Sequence, residues 1–98
     1  MADFILSRKA LQDLEDIWLY TCQTWSEEQA DAYYHLMTDA FQNIARLLVC
    51  GKSYDEIFHG LSGLRVGQHI IFYKQGAKQR VEIIRILHVR MDLRSKFK

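Results

Sequence analysis

The chain contains no proline and only five glycines in 98 residues. No stretch reads as a flexible or proline-rich linker, and no internal repeat or low-complexity run is present. The expectation is therefore a single domain spanning residues 1–98. Cysteine is almost as scarce, with only Cys22 and Cys50. They do not form a CxxC pair, and four scattered histidines supply no metal spacing. No metal and no cofactor is expected, and both thiols read as free and reduced, in a cytoplasmic protein. Long apolar runs are missing too. The opening MADFILSRKALQDLED returns to charge after a few residues, which excludes a signal peptide or a membrane span.

What is present suffices for a core: 49% apolar residues, with two Trp, five Tyr and five Phe. The net charge of +1 hides an asymmetry. Residues 1–50 hold three Lys/Arg against eight Asp/Glu, a net −5, whereas residues 51–98 hold ten against four, a net +6. The second half would attract an acidic partner or nucleic acid, unless the two halves neutralise each other. A plain DNA-binding module is disfavoured, because the helices are acidic and show no basic recognition face.

The chain is organised around residues 64–92, LRVGQHIIFYKQGAKQRVEIIRILHVRMD. Two runs, HIIFY and VEIIRIL, are rich in the β-branched and aromatic types that fit a half-buried pleated surface. They flank a linker of about five residues that contains Gly76, which is hairpin spacing. Strict alternation predicts Val81, Ile83 and Leu87 on one face of the second strand and Ile84 and Ile86 on the other. Arg85 falls among the first set. It either pairs with a carboxylate such as Glu82 or Asp92 or serves a target. His88, Arg90 and Asp92 gather at the strand's end, where a rigid element can hold functional groups.

Upstream, Phe4 and Leu6 predict one face of a short strand, and Ser7 a helix N-cap. Leu11, Leu14, Trp18, Cys22 and Trp25 follow at spacings of 3, 4, 4 and 3, the stripe of an amphipathic helix. Ser26 with Gln29 reads as a capping box, and Glu27 and Glu28 suit the positive end of the helix dipole. Ala30, Tyr33, Tyr34, Met37, Phe41, Ile44 and Leu48 form the second stripe, flanked by Leu36, Ala40 and Leu47, with Gly51 as the stop. Helices joined this closely form an antiparallel hairpin. Residues 52–63 read as a loop tacked down by Tyr54, Ile57, Phe58 and Leu61, followed by a short strand at residues 64–66. The fold expected is α+β: an N-terminal strand, then a helical hairpin packed on one face of a mostly antiparallel sheet, in the order β-α-α-β-β-β. The sheet's second face has no helix left to cover it, so either the sheet curls or a partner completes it. Ile17, Tyr20 and Leu36, at the margins of the stripes, are the candidate partner contacts, together with a sheet edge that could accept an added strand.

The order and spacing of five segments resemble the ParE/RelE superfamily of bacterial type II toxins, on its ParE side. They are SRKALQDLEDIWLYT at residues 7–21, WSEEQA at 25–30, GKSYDEI at 51–57, LRVGQHIIFY at 64–73 and IIRILHVRMD at 83–92. The resemblance implies a cytoplasmic toxin that binds DNA gyrase in its complex with DNA and is neutralised by a cognate, ParD-like antitoxin in a hetero-oligomer. It is not expected to be an enzyme. RelE-like relatives instead cut messenger RNA on the ribosome. A sheet position that is often arginine in that branch is Ile70 here, beside His69. Arg90 falls near an arginine the branch keeps, but residues 93–98 hold Phe97 and no tyrosine. Phenylalanine has no ionisable group for acid–base chemistry. His88 and Arg90 are the catalytic candidates if cleavage applies, with Glu82 six residues away, about 20 Å along a strand. The binding reading uses Arg65, Arg85, Arg90, Arg94, Lys96 and Lys98 as a cationic target surface.

Overall fold

A computed structural model describes residues 4–47, 49–76 and 80–97. Strand β1 (Phe4–Leu6) leads into helix α1 (Arg8–Thr24) and helix α2 (Glu27–Ala45). Strands β2 (Lys52–Ser53), β3 (Ser62–Val66), β4 (His69–Gln75) and β5 (Val81–His88) follow, and a short helix α3 (Leu93–Lys96) ends the described chain. The sheet runs β1-β5-β4-β3-β2. Among the described residues, only β1 pairs in parallel, against β5, while the remaining pairs are antiparallel. The layered α+β order expected from the pattern is present. The two-residue β2 and the four-residue α3 add to it.

Caps set the helix starts. Ser7 Oγ accepts the Ala10 amide at 3.0 Å and itself donates to Ile84 O at 2.7 Å, so one hydroxyl both starts α1 and ties it to the sheet. Ser26 Oγ accepts the Gln29 amide at 3.1 Å, and Glu27 and Glu28 occupy the first turn of α2. Trp18 Nε1 donates to Asp31 Oδ1 at 3.0 Å and ties the helices together. The end of α2 differs from the expected stop at Gly51. The helix finishes at Ala45, and Leu47 itself takes a left-handed conformation at φ 60°. Leu48, expected to end the stripe, lies outside the described residues.

The stripe on α1 is rotated from the expected one. Ala10 and Leu14 are buried and Ile17 packs against the same core, whereas Leu11 and Trp25 are exposed. Ile17 is thus a core-packing residue rather than a margin position. Beneath the helices, Leu14, Met37, Phe41, Ile44, Ile71, Ile83 and Ile86 form the main core. A second, smaller core covers the opposite face of the sheet: Leu61, Ile70, Phe72 and Leu87, closed over by Tyr54, Ile57, Leu93 and Phe97. The face expected to await a partner is therefore covered by the chain's own loop and C-terminal turn.

Strand β5 does not alternate strictly. Phe72 pairs with Arg85 and Tyr73 with Ile83, so Ile84 is an extra residue at a bulge. Past the bulge the faces exchange. Ile86 joins Val81 and Ile83 in the main core, and Leu87 joins Ile84 on the other side. This reverses the expected faces of Ile86 and Leu87, because a one-residue insertion shifts every later side chain.

Candidate functional site: a groove closed by Tyr33, His69 and His88

The bulge also decides where the strand's end points. His88 comes to lie on the helix face of the sheet, opposite His69 of β4, with which it is paired across the strands. The two rings meet edge to face, centroids 5.3 Å apart. Tyr33 reaches them from α2: its hydroxyl lies 2.7 Å from His69 Nδ1 and 3.2 Å from Val66 O, and it accepts the Gln68 amide at 3.0 Å. The turn between β3 and β4 is shaped for this contact. Gly67 adopts φ +59°, and a Cβ there would stand 2.6 Å from the Tyr33 hydroxyl. Only glycine leaves room for the phenol at that turn.

Burial, reinforced by His88 and opposed by Asp13, lowers the His69 pKa to about 4. The ring is therefore neutral near pH 7. Burial also raises the Tyr33 pKa, against the lowering effects of the Gln68 amide and nearby Arg65. His88 Nδ1 accepts the Arg90 amide at 3.1 Å, which leaves the proton of the neutral ring on Nε2.

These residues floor an open groove of about 580 Å³, walled by Tyr20, Thr21, Trp25, Gln29, Leu36 and Gln68. Tyr20 and Trp25 are 67% and 69% exposed, high for aromatics on a packed helix pair. A neighbouring groove of about 470 Å³ crosses the outer side of the helical hairpin, lined by Glu15, Trp18, Leu19, Asp31 and Tyr34. Large apolar groups are thus left open on the two adjoining helices. No group of three or more His, Cys, Asp or Glu capable of holding a metal occurs among the described residues.

The expected site residues separate. Tyr20 and Leu36 share the groove, and Ile17 does not line it. Arg85 pairs with neither Glu82 nor Asp92. Its Nε and Nη2 donate to Asp13 Oδ2 and Oδ1 at 2.8 and 2.9 Å, and the Ile86 amide adds a third bond to Oδ2 at 3.0 Å. With side chains 16% and 13% exposed, Arg85 and Asp13 join α1 to β5, so the Arg85 guanidinium already has its carboxylate partner. Arg65 and Arg90 are exposed, and Arg65 Nε donates to Gly67 O at 3.1 Å. Arg94 and Lys96 are exposed on α3, while Lys98 lies outside the described residues. Sequence reasoning missed Tyr33 and His69 as site residues. The available signal was His69 sitting directly after the Gly67 turn.

The fold is thus a mixed five-stranded sheet with an α-helical hairpin on one face and an open groove where the hairpin meets the ends of β4 and β5. Residues 4–93 match the family profile described as "ParE toxin of type II toxin-antitoxin system, parDE". The chain belongs to the ParE toxin family. It is 38% identical over 95 residues to "Toxin ParE1" of Caulobacter vibrioides, covering 97% of each chain. It is 33% identical over 90 residues to "Toxin ParE1" of Mycobacterium tuberculosis, covering 92% of each. A solved structure described as "Chromosomal ParDE TA system from P. aeruginosa" superimposes with a TM-score of 0.75 at 18% identity, over 92% of this chain and 98% of that one, and so shares the fold.

Proposed function

We propose that this chain inhibits DNA gyrase by binding its complex with DNA, and that a ParD-like antitoxin neutralises it by lying in the groove of Tyr20, Trp25 and Leu36. The observation that carries the antitoxin assignment is the groove itself: exposed aromatic and aliphatic anchors on two rigid helices, rimmed by polar Gln29 and Gln68. That is the shape an amphipathic segment of a partner fills. The protein acts in the cytoplasm by binding, without turnover. Two features support the non-enzymatic reading. His69, with its pKa near 4, is a poor general base at neutral pH, where a matched base titrates near 7. Phe97, the aromatic of the C-terminal tail, is packed on Phe72 with centroids 5.1 Å apart.

The second reading, RelE-like cleavage of messenger RNA, draws on the convergence of His69, His88 and Tyr33, with Arg90 at the strand's end. The two separate in cells. Expression without antitoxin should give filamentation and a DNA-damage response while translation continues. An immediate arrest of translation with transcripts cut inside ribosomes would reverse the assignment. Co-expression with a ParD-like antitoxin should restore growth and raise the melting temperature of the recovered complex.

A further inference from the structure

A third groove, of about 260 Å³, lies at the start of α1, whereas the histidine cluster's groove lies at its end, and the two share no residue. Its walls come from both ends of the chain: Ser7, Arg8 and Lys9 where α1 begins, Ile84 and Arg85 of β5, and Lys96 and Phe97 at the C-terminal turn. Arg8, Lys9 and Lys96 are all exposed, and among the described residues no carboxylate pairs with any of them. Arg85 adds no net charge, because Asp13 already holds its guanidinium. Neither Glu82 nor Asp92, the acids of β5 and of the α3 cap, lines the groove.

The placement is rigid. Phe97 stacks edge to face on buried Phe72, which fixes Lys96 at the rim. Ser7 is bonded to β5 by its amide, at 3.0 Å to Ile83 O, and by its hydroxyl, at 2.7 Å to Ile84 O, which fixes Arg8 and Lys9. These two cations also stand in the first turn of a helix, where the dipole disfavours positive charge. Three exposed cations, carried into one trough from residues 8, 9 and 96 on anchored backbone, concentrate a positive field there.

We infer that the Arg8–Lys9–Lys96 groove binds the phosphate backbone of duplex DNA. The choice of DNA over other polyanions rests on the gyrase–DNA reading above. The contact is sequence-independent, since phosphates carry position and charge but no base identity.

The test measures binding of the full chain to a fluorescent DNA duplex against salt, using wild type, Arg8→Gln/Lys9→Gln/Lys96→Gln and the double variant Lys9→Gln/Lys96→Gln. Thermal melting confirms that each is folded. Three phosphate contacts give a salt slope near −2.7, so wild-type affinity should fall about forty-fold between 50 and 200 mM salt. The triple variant should lose about two to three units of slope and the double variant about two. An unchanged slope in the folded variants, or no wild-type binding at low salt, overturns the inference. So does a loss confined to Arg65→Gln/Arg90→Gln, or tighter binding to an RNA duplex of the same sequence. Trapping of gyrase on cleaved plasmid by the wild-type chain separates the two readings. No trapped gyrase–DNA complex with the DNA slope intact removes the gyrase assignment and leaves the groove standing. Trapped complexes with a DNA slope indifferent to the triple substitution do the reverse.

Discussion

Replacing Asp13 by Ala removes one carboxylate that holds three donors: Arg85 Nε and Nη2 at 2.8 and 2.9 Å, and the Ile86 amide at 3.0 Å. The Arg85 side chain is only 16% exposed, so its charge would be left largely desolvated and unpaired. Breaking a buried pair by removing one partner costs about 3–5 kcal/mol, and residual solvent contact here places the loss near the lower end, about 3 kcal/mol. For a domain of this size that corresponds to a fall in Tm of roughly 12–24 °C. Removing both charges in Asp13→Ala/Arg85→Met should recover much of the loss, because no orphaned cation remains; the Ile86 amide still lacks its acceptor, at about 1–2 kcal/mol. A double-mutant cycle by urea and thermal melting should then give a coupling of about 2 kcal/mol. A loss in Asp13→Ala below about 0.5 kcal/mol, the range of ordinary surface changes, would refute the idea that this pair ties α1 to the sheet.

Other expected outcomes follow from the groove. Gly67→Ala combines a left-handed backbone with a Cβ 2.6 Å from the Tyr33 hydroxyl, so melting should show a loss of about 1–3 kcal/mol, with the Tyr33–His69 contact disturbed in NMR spectra. The His69 pKa is depressed in the folded state, from 6.5 to about 4, so the unfolded chain binds more protons between those values. Its contribution is fully present above about pH 6.5 and lost as pH falls towards 4; allowing for partial exposure of the ring, it is about 1–2 kcal/mol. The difference in stability between wild type and His69→Gln, measured from pH 7 to 4.5, should shrink by that amount. Leu36→Glu should weaken antitoxin binding at least about tenfold by calorimetry while melting as wild type does, since it places a charge at an apolar anchor. Arg90→Ala should weaken the gyrase contact by about 2 kcal/mol, while folded His88→Gln should remain toxic. The opposite pattern would make His88 a catalytic residue.

The helical hairpin, its Ser7 and Ser26 caps, the β4–β5 hairpin and the layered architecture were legible because each rests on local periodicity or a short capping pattern. Three features were not. The bulge at Ile84 needs no special residue, so nothing in VEIIRIL announces it, yet it exchanges the faces of Ile86 and Leu87 and turns His88 towards His69. The second core depends on residues 54–61 and Leu93 and Phe97 meeting across the sheet, a contact between distant segments that carries no periodic signal. Arg85 was expected to pair with Glu82 or Asp92, and only the tertiary packing of α1 on β5 reveals Asp13 as its partner. Tyr20 and Leu36 could be named as margins of their stripes, whereas Trp25 was read as buried and is exposed at the groove.

Gyrase as the target is tested most directly by incubating the purified chain with gyrase, supercoiled plasmid and ATP, and trapping covalent complexes with detergent. Linearised, gyrase-linked DNA should accumulate in proportion to the toxin added, and supercoiling should stop. Addition of a ParD-like antitoxin beforehand should abolish both effects. Normal supercoiling with no trapped DNA, at toxin concentrations that cut messenger RNA on ribosomes, would contradict the gyrase reading and place the chain's chemistry at His88.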